Sequence, residues 1–123
     1  MSDHVELVRR FVACLDARDW ETWAGLLSPD VVYEIPQTRE CIRGRDRYLA
    51  FNQSYPGDWH LRAKLVLADD SHGVVWFDWT VGEDGADGVA FFEFDAGLIS
   101  RVTDFWPESY DPPDHRPDFV ERW

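Results

Sequence analysis

Cysteine, positive charge and long apolar runs are all scarce in this chain, and each scarcity excludes something. The two cysteines, Cys14 and Cys41, match no zinc or redox spacing. Met1-Ser2-Asp3-His4 opens without an apolar leader stretch, so the expected setting is a reduced cytoplasm. Only 12 basic residues face 24 acidic ones, for a formal net charge of −12. A nucleic-acid binder needs a cationic footprint, and this charge has the opposite sign. Anionic membranes repel such a chain too, and nucleotide-like anions are disfavoured as substrates. No run approaches the roughly 18 apolar residues of a membrane span. The four histidines (His4, His60, His72, His115) are scattered with no partner at ligand spacing, so neither metal nor cofactor is expected. Ser-His-Asp logic, a Walker loop and a dinucleotide fingerprint are all missing. Gly82, Gly85 and Gly88 stand among acidic neighbours that repel phosphate.

Aromatic rings are what the chain has in quantity. Seven Trp, eight Phe and four Tyr make 15% of 123 residues. With 45% hydrophobic and 29% charged residues, this is the composition of a folded chain with one core, read as a single domain over 1–123. Rings in this number bury large areas and often line ligand sites.

Periodicity divides the chain in two. Val8, Phe11, Val12 and Leu15 fall at i, i+3, i+4 and i+7, predicting a helix over 4–17. Asp19 can cap a second helix, with Trp20, Trp23, Ala24 and Leu27 at the same spacing, stopped by Ser28-Pro29-Asp30. Residues 31–35 read as a short strand ended by Pro36, and 37–43 as polar and irregular. After Gly44 a third helix places Tyr48, Phe51, Asn52 and Tyr55 on one face. The period then drops to 2. Trp59, Leu61, Ala63, Leu65 and Leu67 form one inward row, and Val75, Phe77, Trp79 and Val81 another. Residues 82–88 read as an acidic, Gly-rich hairpin loop, 89–94 and 98–106 as the last strands, and 107–123 as a Pro-rich tail. Helices followed by hairpin-linked strands predict an α+β fold, three N-terminal helices on a curved, mostly antiparallel sheet. Trp76 and Phe91 fall on the opposite sheet face, predicting a homodimer through the sheet.

Three segments carry a family resemblance: Ser28-Pro29-Asp30-Val31-Val32-Tyr33, Ile42-Arg43-Gly44-Arg45-Asp46, and the run from Phe92 through Asp104 to Trp106. Over residues 5–108 the chain resembles the cone-shaped nuclear transport factor 2-like superfamily, in its SnoaL-like branch. Its members include polyketide cyclases, ketosteroid isomerases, limonene epoxide hydrolases, dehydratases and non-catalytic binding domains. The resemblance implies a cavity between the concave sheet face and the helices. It places a catalytic Asp of the epoxide hydrolases on Asp104 and their water-positioning Tyr on Tyr33. The Arg and second Asp of that set fall near Trp79 and Val81, and the isomerase base falls on Ile35, so neither set is complete.

The residues themselves support two kinds of reading. An inward Asp104 is a carboxylate among rings, suited by desolvation to acid–base work, or else a structural carboxylate held by an Arg or a backbone N–H. Tyr33 can donate to a substrate oxygen, or be a core Tyr with its hydroxyl at the surface. Trp20, Tyr48, Phe77, Trp79, Phe92 and Trp106 are candidate substrate-binding walls, or plain core. Glu34, Asp78 and His60 should face outward, and Arg39, Glu40 and Arg43 stand near a possible mouth. The expected partner is a small apolar, carbonyl-bearing, polyketide-like molecule, turned over by cyclisation, isomerisation or dehydration. The alternatives are a non-catalytic binder or a dimerisation module whose own side chains fill the cavity.

Overall fold

The computed structural model describes residues 3–123, so Met1 and Ser2 of the Met1-Ser2-Asp3-His4 stretch read above lie outside the described residues. Helix α1 spans His4–Ala17 and buries the stripe Val8, Phe11, Val12 and Leu15, as its spacing predicts. Arg18 ends it in the left-handed region, at φ 60°. The Arg18 guanidinium donates to the carbonyls of Leu15, Asp16 and Trp59, the last at 2.6 Å, and lies 3.4 Å over the Trp59 ring. One side chain thus ties the end of α1 to the first strand of the meander.

Helix α2, Trp20–Gly25, is capped by Asp19, whose side chain accepts from the Thr22 N–H. It stops short of the expected Leu27. Leu27 is fully buried and opens strand β1, Leu27–Ile35, beside Ile99 of the last strand. Sheet pairing therefore outweighs another helical turn. The strand is longer than expected and runs through Pro29. It tolerates the proline because the ladder shifts register between Leu27 and Val32, where the missing N–H is not needed. Part of the segment expected to be irregular is strand β2, Glu40–Arg43, antiparallel to β1. Arg39, at φ 63°, turns the chain back to make this short polar edge. Helix α3 covers Arg45–Gln53 after Gly44.

Four strands complete the sheet: β3 Trp59–Ala68, β4 His72–Val81, β5 Asp84–Asp95 and β6 Leu98–Phe105. The six strands lie in the order β2-β1-β6-β5-β4-β3, with β6 parallel to β1 and every other pair antiparallel. Two expectations fail here, each for a local reason. Residues 82–88 are not a hairpin loop. Only Gly82 and Glu83 turn, and Asp84–Gly88 pair with Val81–Phe77. A Cβ on Gly88 would come within 2.4 Å of the Phe77 ring, so this glycine makes room for a ring rather than a turn. On β3 the inward row breaks at a bulge between Ala63 and Leu65. Val66 is buried instead, and Leu65 and Leu67 emerge on the outer face, 49% and 57% exposed.

The helices cover one face of the sheet, α1 against β3 and β4, α3 against β1. Residues 107–123 form no helix or strand, and Tyr110, Phe119 and Trp123 project from them.

Candidate functional site

Between the helices and the inner sheet face lies a cavity of about 340 Å³. Strand β4 supplies Val75, Phe77 and Trp79, three inward residues at period 2. Strand β1 supplies Tyr33 and Ile35, and α3 supplies Tyr48, Phe51 and Asn52. Trp106 follows β6 onto the wall, and Thr38 and Glu40 form an exposed rim. None of residues 107–123 lines the cavity.

The rings touch one another in series. Tyr48 stacks on Tyr33 at 4.4 Å between centroids, and Tyr33 meets Phe51 at 5.7 Å. The series continues through Tyr55 to Trp79, then to Trp106 at 5.8 Å, whose ring also meets Phe77. Gln37 fixes the backbone of Trp106 at both ends of one amide. Its Nε2 donates to the Trp106 carbonyl at 3.0 Å, and the Trp106 N–H donates to its Oε1 at 2.5 Å. Trp79 and Trp106 touch, yet the cavity stays open beside them.

One polar pair sits among these rings. In the parallel β1–β6 ladder Tyr33 stands beside Val102, so Asp104, two residues on, shares its face. The Tyr33 hydroxyl donates to Asp104 Oδ2 at 2.5 Å. Among the described residues no Arg and no backbone N–H donates to Asp104, so the structural-carboxylate reading lacks its anchor. Asp104 is 9% exposed. Burial pushes its pKa up to about 7, with the Tyr33 hydrogen bond pulling the other way. Burial, then the nearby Asp104 charge, pushes the Tyr33 phenol well above its ordinary range, and Tyr48 moves the same way for the same causes. Near neutral pH, then, Asp104 is divided between acid and carboxylate while both phenols keep their protons.

The sequence-predicted candidates separate cleanly. Tyr33, Tyr48, Phe77, Trp79, Asp104 and Trp106 meet around the cavity. Trp20 and Phe92 do not. Phe92 is 1% exposed, packed in the core against Phe11 and Phe94, and half-buried Trp20 lies edge-on against Trp23. The outward residues are outward. Glu34 takes the Thr103 hydroxyl and pairs with Arg101, Asp78 pairs with Arg62 and Lys64, and His60 with Asp16 and Asp58. Glu40 reaches the rim, while Arg39 and Arg43 do not line the cavity. The wall residues missed include Phe11 and Trp59, and also Phe51, Asn52 and Tyr55, although the helical face these three share with Tyr48 was legible. No group of three or more His, Cys, Asp or Glu fit to hold a metal occurs among the described residues, and no helix is long and apolar enough to cross a membrane.

Three helices on a curved six-stranded sheet, closed over a ring-lined cavity, define the nuclear transport factor 2-like class of α+β cone. A family model described as the SnoaL-like domain matches residues 8–102, and the chain belongs to that family. A crystal structure from Kribbella flavida, of a protein provisionally assigned as a ketosteroid isomerase, is 50% identical. It superposes with a TM-score of 0.91 over 96% of this chain and 87% of that one. An epoxide hydrolase of the limonene type from M. tuberculosis is 22% identical, with a TM-score of 0.70 over 84% of this chain and 81% of its own. A protein from Xanthomonas campestris, provisionally assigned as a polyketide cyclase, is 21% identical, with a TM-score of 0.68 over 83% and 88%. The last two show likeness of fold. No curated protein matches the chain. Of Ile35, Trp79 and Val81, where the resemblance sets ionisable groups of relatives, Ile35 and Trp79 line the cavity and Val81 does not.

Proposed function

We propose that the chain is a cofactor-free acid–base enzyme acting on a small, largely apolar molecule that carries a carbonyl group. One observation carries the reading: a buried carboxylate, Asp104, held by the Tyr33 phenol inside a largely apolar, aromatic-rich cavity. With a pKa of about 7, Asp104 is poised both to take and to return a proton near neutrality. As carboxylate it removes a proton beside the substrate carbonyl while Tyr33 holds it in place. Once Asp104 is protonated, the Tyr33 proton is released from that bond and is available to the developing oxyanion. The Tyr48 hydroxyl, from the ring stacked on Tyr33 in the same wall, serves as a second donor to the same oxygen. Returning the proton to a different carbon gives isomerisation. Attack of the enolate on a second carbonyl gives cyclisation, and loss of a β-hydroxyl gives dehydration. The ring walls suit polyketide-like substrates.

Proton transfer of this kind is measurable before the natural substrate is known. In deuterated buffer the enzyme should accelerate hydrogen exchange beside the carbonyl of a cyclic ketone, and Asp104→Asn should slow it by about 10²-fold or more. Equal exchange by the two proteins sinks the assignment. The apolar Ile35 and Trp79, where relatives have ionisable groups, favour a second reading as a non-catalytic binder. That reading gains if cyclic ketones bind without exchange.

We also propose a homodimer through the outer sheet face. Leu65, Leu67, Trp76 and Phe91 are each more than 40% exposed there, two of them delivered by the β3 bulge. Light scattering should give twice the chain mass, and Phe91→Asp should return the monomer. A monomeric wild type rejects this.

A further inference from the structure

The cavity's charge is lopsided in a way that proton transfer does not require. Its walls include two acids, Asp104 in the interior and Glu40 at the rim, and no Lys, Arg or His. Nine aromatic side chains surround the same space. Of the nearby cations, Arg18 lies over Trp59 as part of the helix-end clamp, Arg101 pairs with Glu34 and Glu93 on the outer face, and Arg39 and Arg43, beside the rim in the chain, do not line the cavity. A ring face carries negative electrostatic potential, so several rings around one point favour a cation, most strongly where water is excluded. The chain's net charge of −12 adds an attractive field for cations approaching the mouth. An anionic ligand, in contrast, would find no cationic side chain in the walls and would meet Glu40 at the rim.

We propose that the ligand of this cavity carries an ammonium group, protonated or quaternary, held against Trp79, Trp106 and Tyr55 with Asp104 and Glu40 as counter-charge. This names a substrate class for the site described above and rests on that cavity, though not on proton transfer by Asp104. The apolar remainder of the ligand packs on Phe51 and Phe77. Glu40 meets the ammonium at the rim and sets the direction of entry.

The test uses three probes of one shape at fixed ionic strength: phenyltrimethylammonium, its uncharged carbon isostere tert-butylbenzene, and benzenesulfonate. Tryptophan fluorescence of the protein reads binding. The ammonium should bind at least tenfold tighter than the isostere, and the sulfonate most weakly. Trp79→Leu, which keeps an apolar wall but removes a ring face, and Glu40→Gln should each reduce the ratio of ammonium to tert-butylbenzene affinity severalfold. Equal affinity of ammonium and isostere overturns the proposal, as does binding of neither at millimolar concentration. A preference that survives both substitutions also overturns it, because it then reflects adsorption to the acidic surface. Ketone exchange by the wild type is read separately, so loss of the ammonium preference leaves the acid–base assignment standing.

Discussion

Replacing Asp104 with Asn should change how stability depends on pH, in a direction and size that follow from its burial. A carboxyl group titrates near 3.8 in the unfolded chain, and Asp104 titrates at about 7 in the folded one. Between these values the folded protein holds a proton that the unfolded chain has lost. Stability must then fall as pH rises, by about 1.4 kcal/mol per pH unit for a single group. Below pH 4 both states are protonated, and the burial is free of this penalty. Above pH 7 the folded state keeps a desolvated charge, and the accumulated cost is about 4 kcal/mol. Asn retains the shape and accepts the Tyr33 hydroxyl bond without titrating. Urea unfolding of both proteins from pH 4 to pH 8 isolates the effect, because every other carboxylate is common to the two. The stability of Asp104→Asn relative to wild type should climb by about 4 kcal/mol across that range, most steeply between pH 5 and 7. A difference that stays flat with pH would refute the reasoning, since it would mean Asp104 is solvated or held by an unseen cation.

Three further substitutions probe the supports of the cavity. Tyr33→Phe removes the hydrogen bond that lowers the Asp104 pKa, so that pKa should rise above 7, and the pH profile of ketone exchange should shift upward with it. Gly88→Ala puts a methyl 2.4 Å from the Phe77 ring, which should cost about 1–3 kcal/mol in urea unfolding, with the midpoint moving and the slope unchanged. Gln37→Ala frees the Trp106 backbone, and with two exposed bonds lost it should lower stability by only about 1–2 kcal/mol while shifting tryptophan emission to the red.

Helix α1 and the β4 row were legible because one strong period and one buried face coincide. Val8, Phe11, Val12 and Leu15, like Val75 and Phe77, are inward for the reason their spacing suggests. The pair at the centre of the site was also legible, since Tyr33 and Asp104 each sit on an inward position of a strand. What periodicity could not reveal was their bond, which depends on β1 and β6 lying side by side across 71 residues. Misreadings arose where a long-range partner overrode a local signal. Leu27 left a helical pattern to pair beside Ile99, and Glu40–Arg43 became a strand because β1 offered an edge. Gly85 and Gly88 looked like turn residues, yet they lie in a ten-pair ladder with β4. The β3 bulge moved Leu65 and Leu67 to the outer face, and no alternation rule anticipates a bulge. Phe92 and Trp20 are aromatic like the true wall residues. They differ only in which layer of the core they reach, and composition carries no information about depth.

The most direct measurement is a site-resolved carboxyl titration of Asp104 by carbon NMR, with its signal assigned through Asp104→Asn. A midpoint near 7, shifting upward in Tyr33→Phe, is the expected result and places a proton-transferring group in the cavity. A midpoint near 4, unmoved by Tyr33→Phe, would contradict the acid–base role at its source.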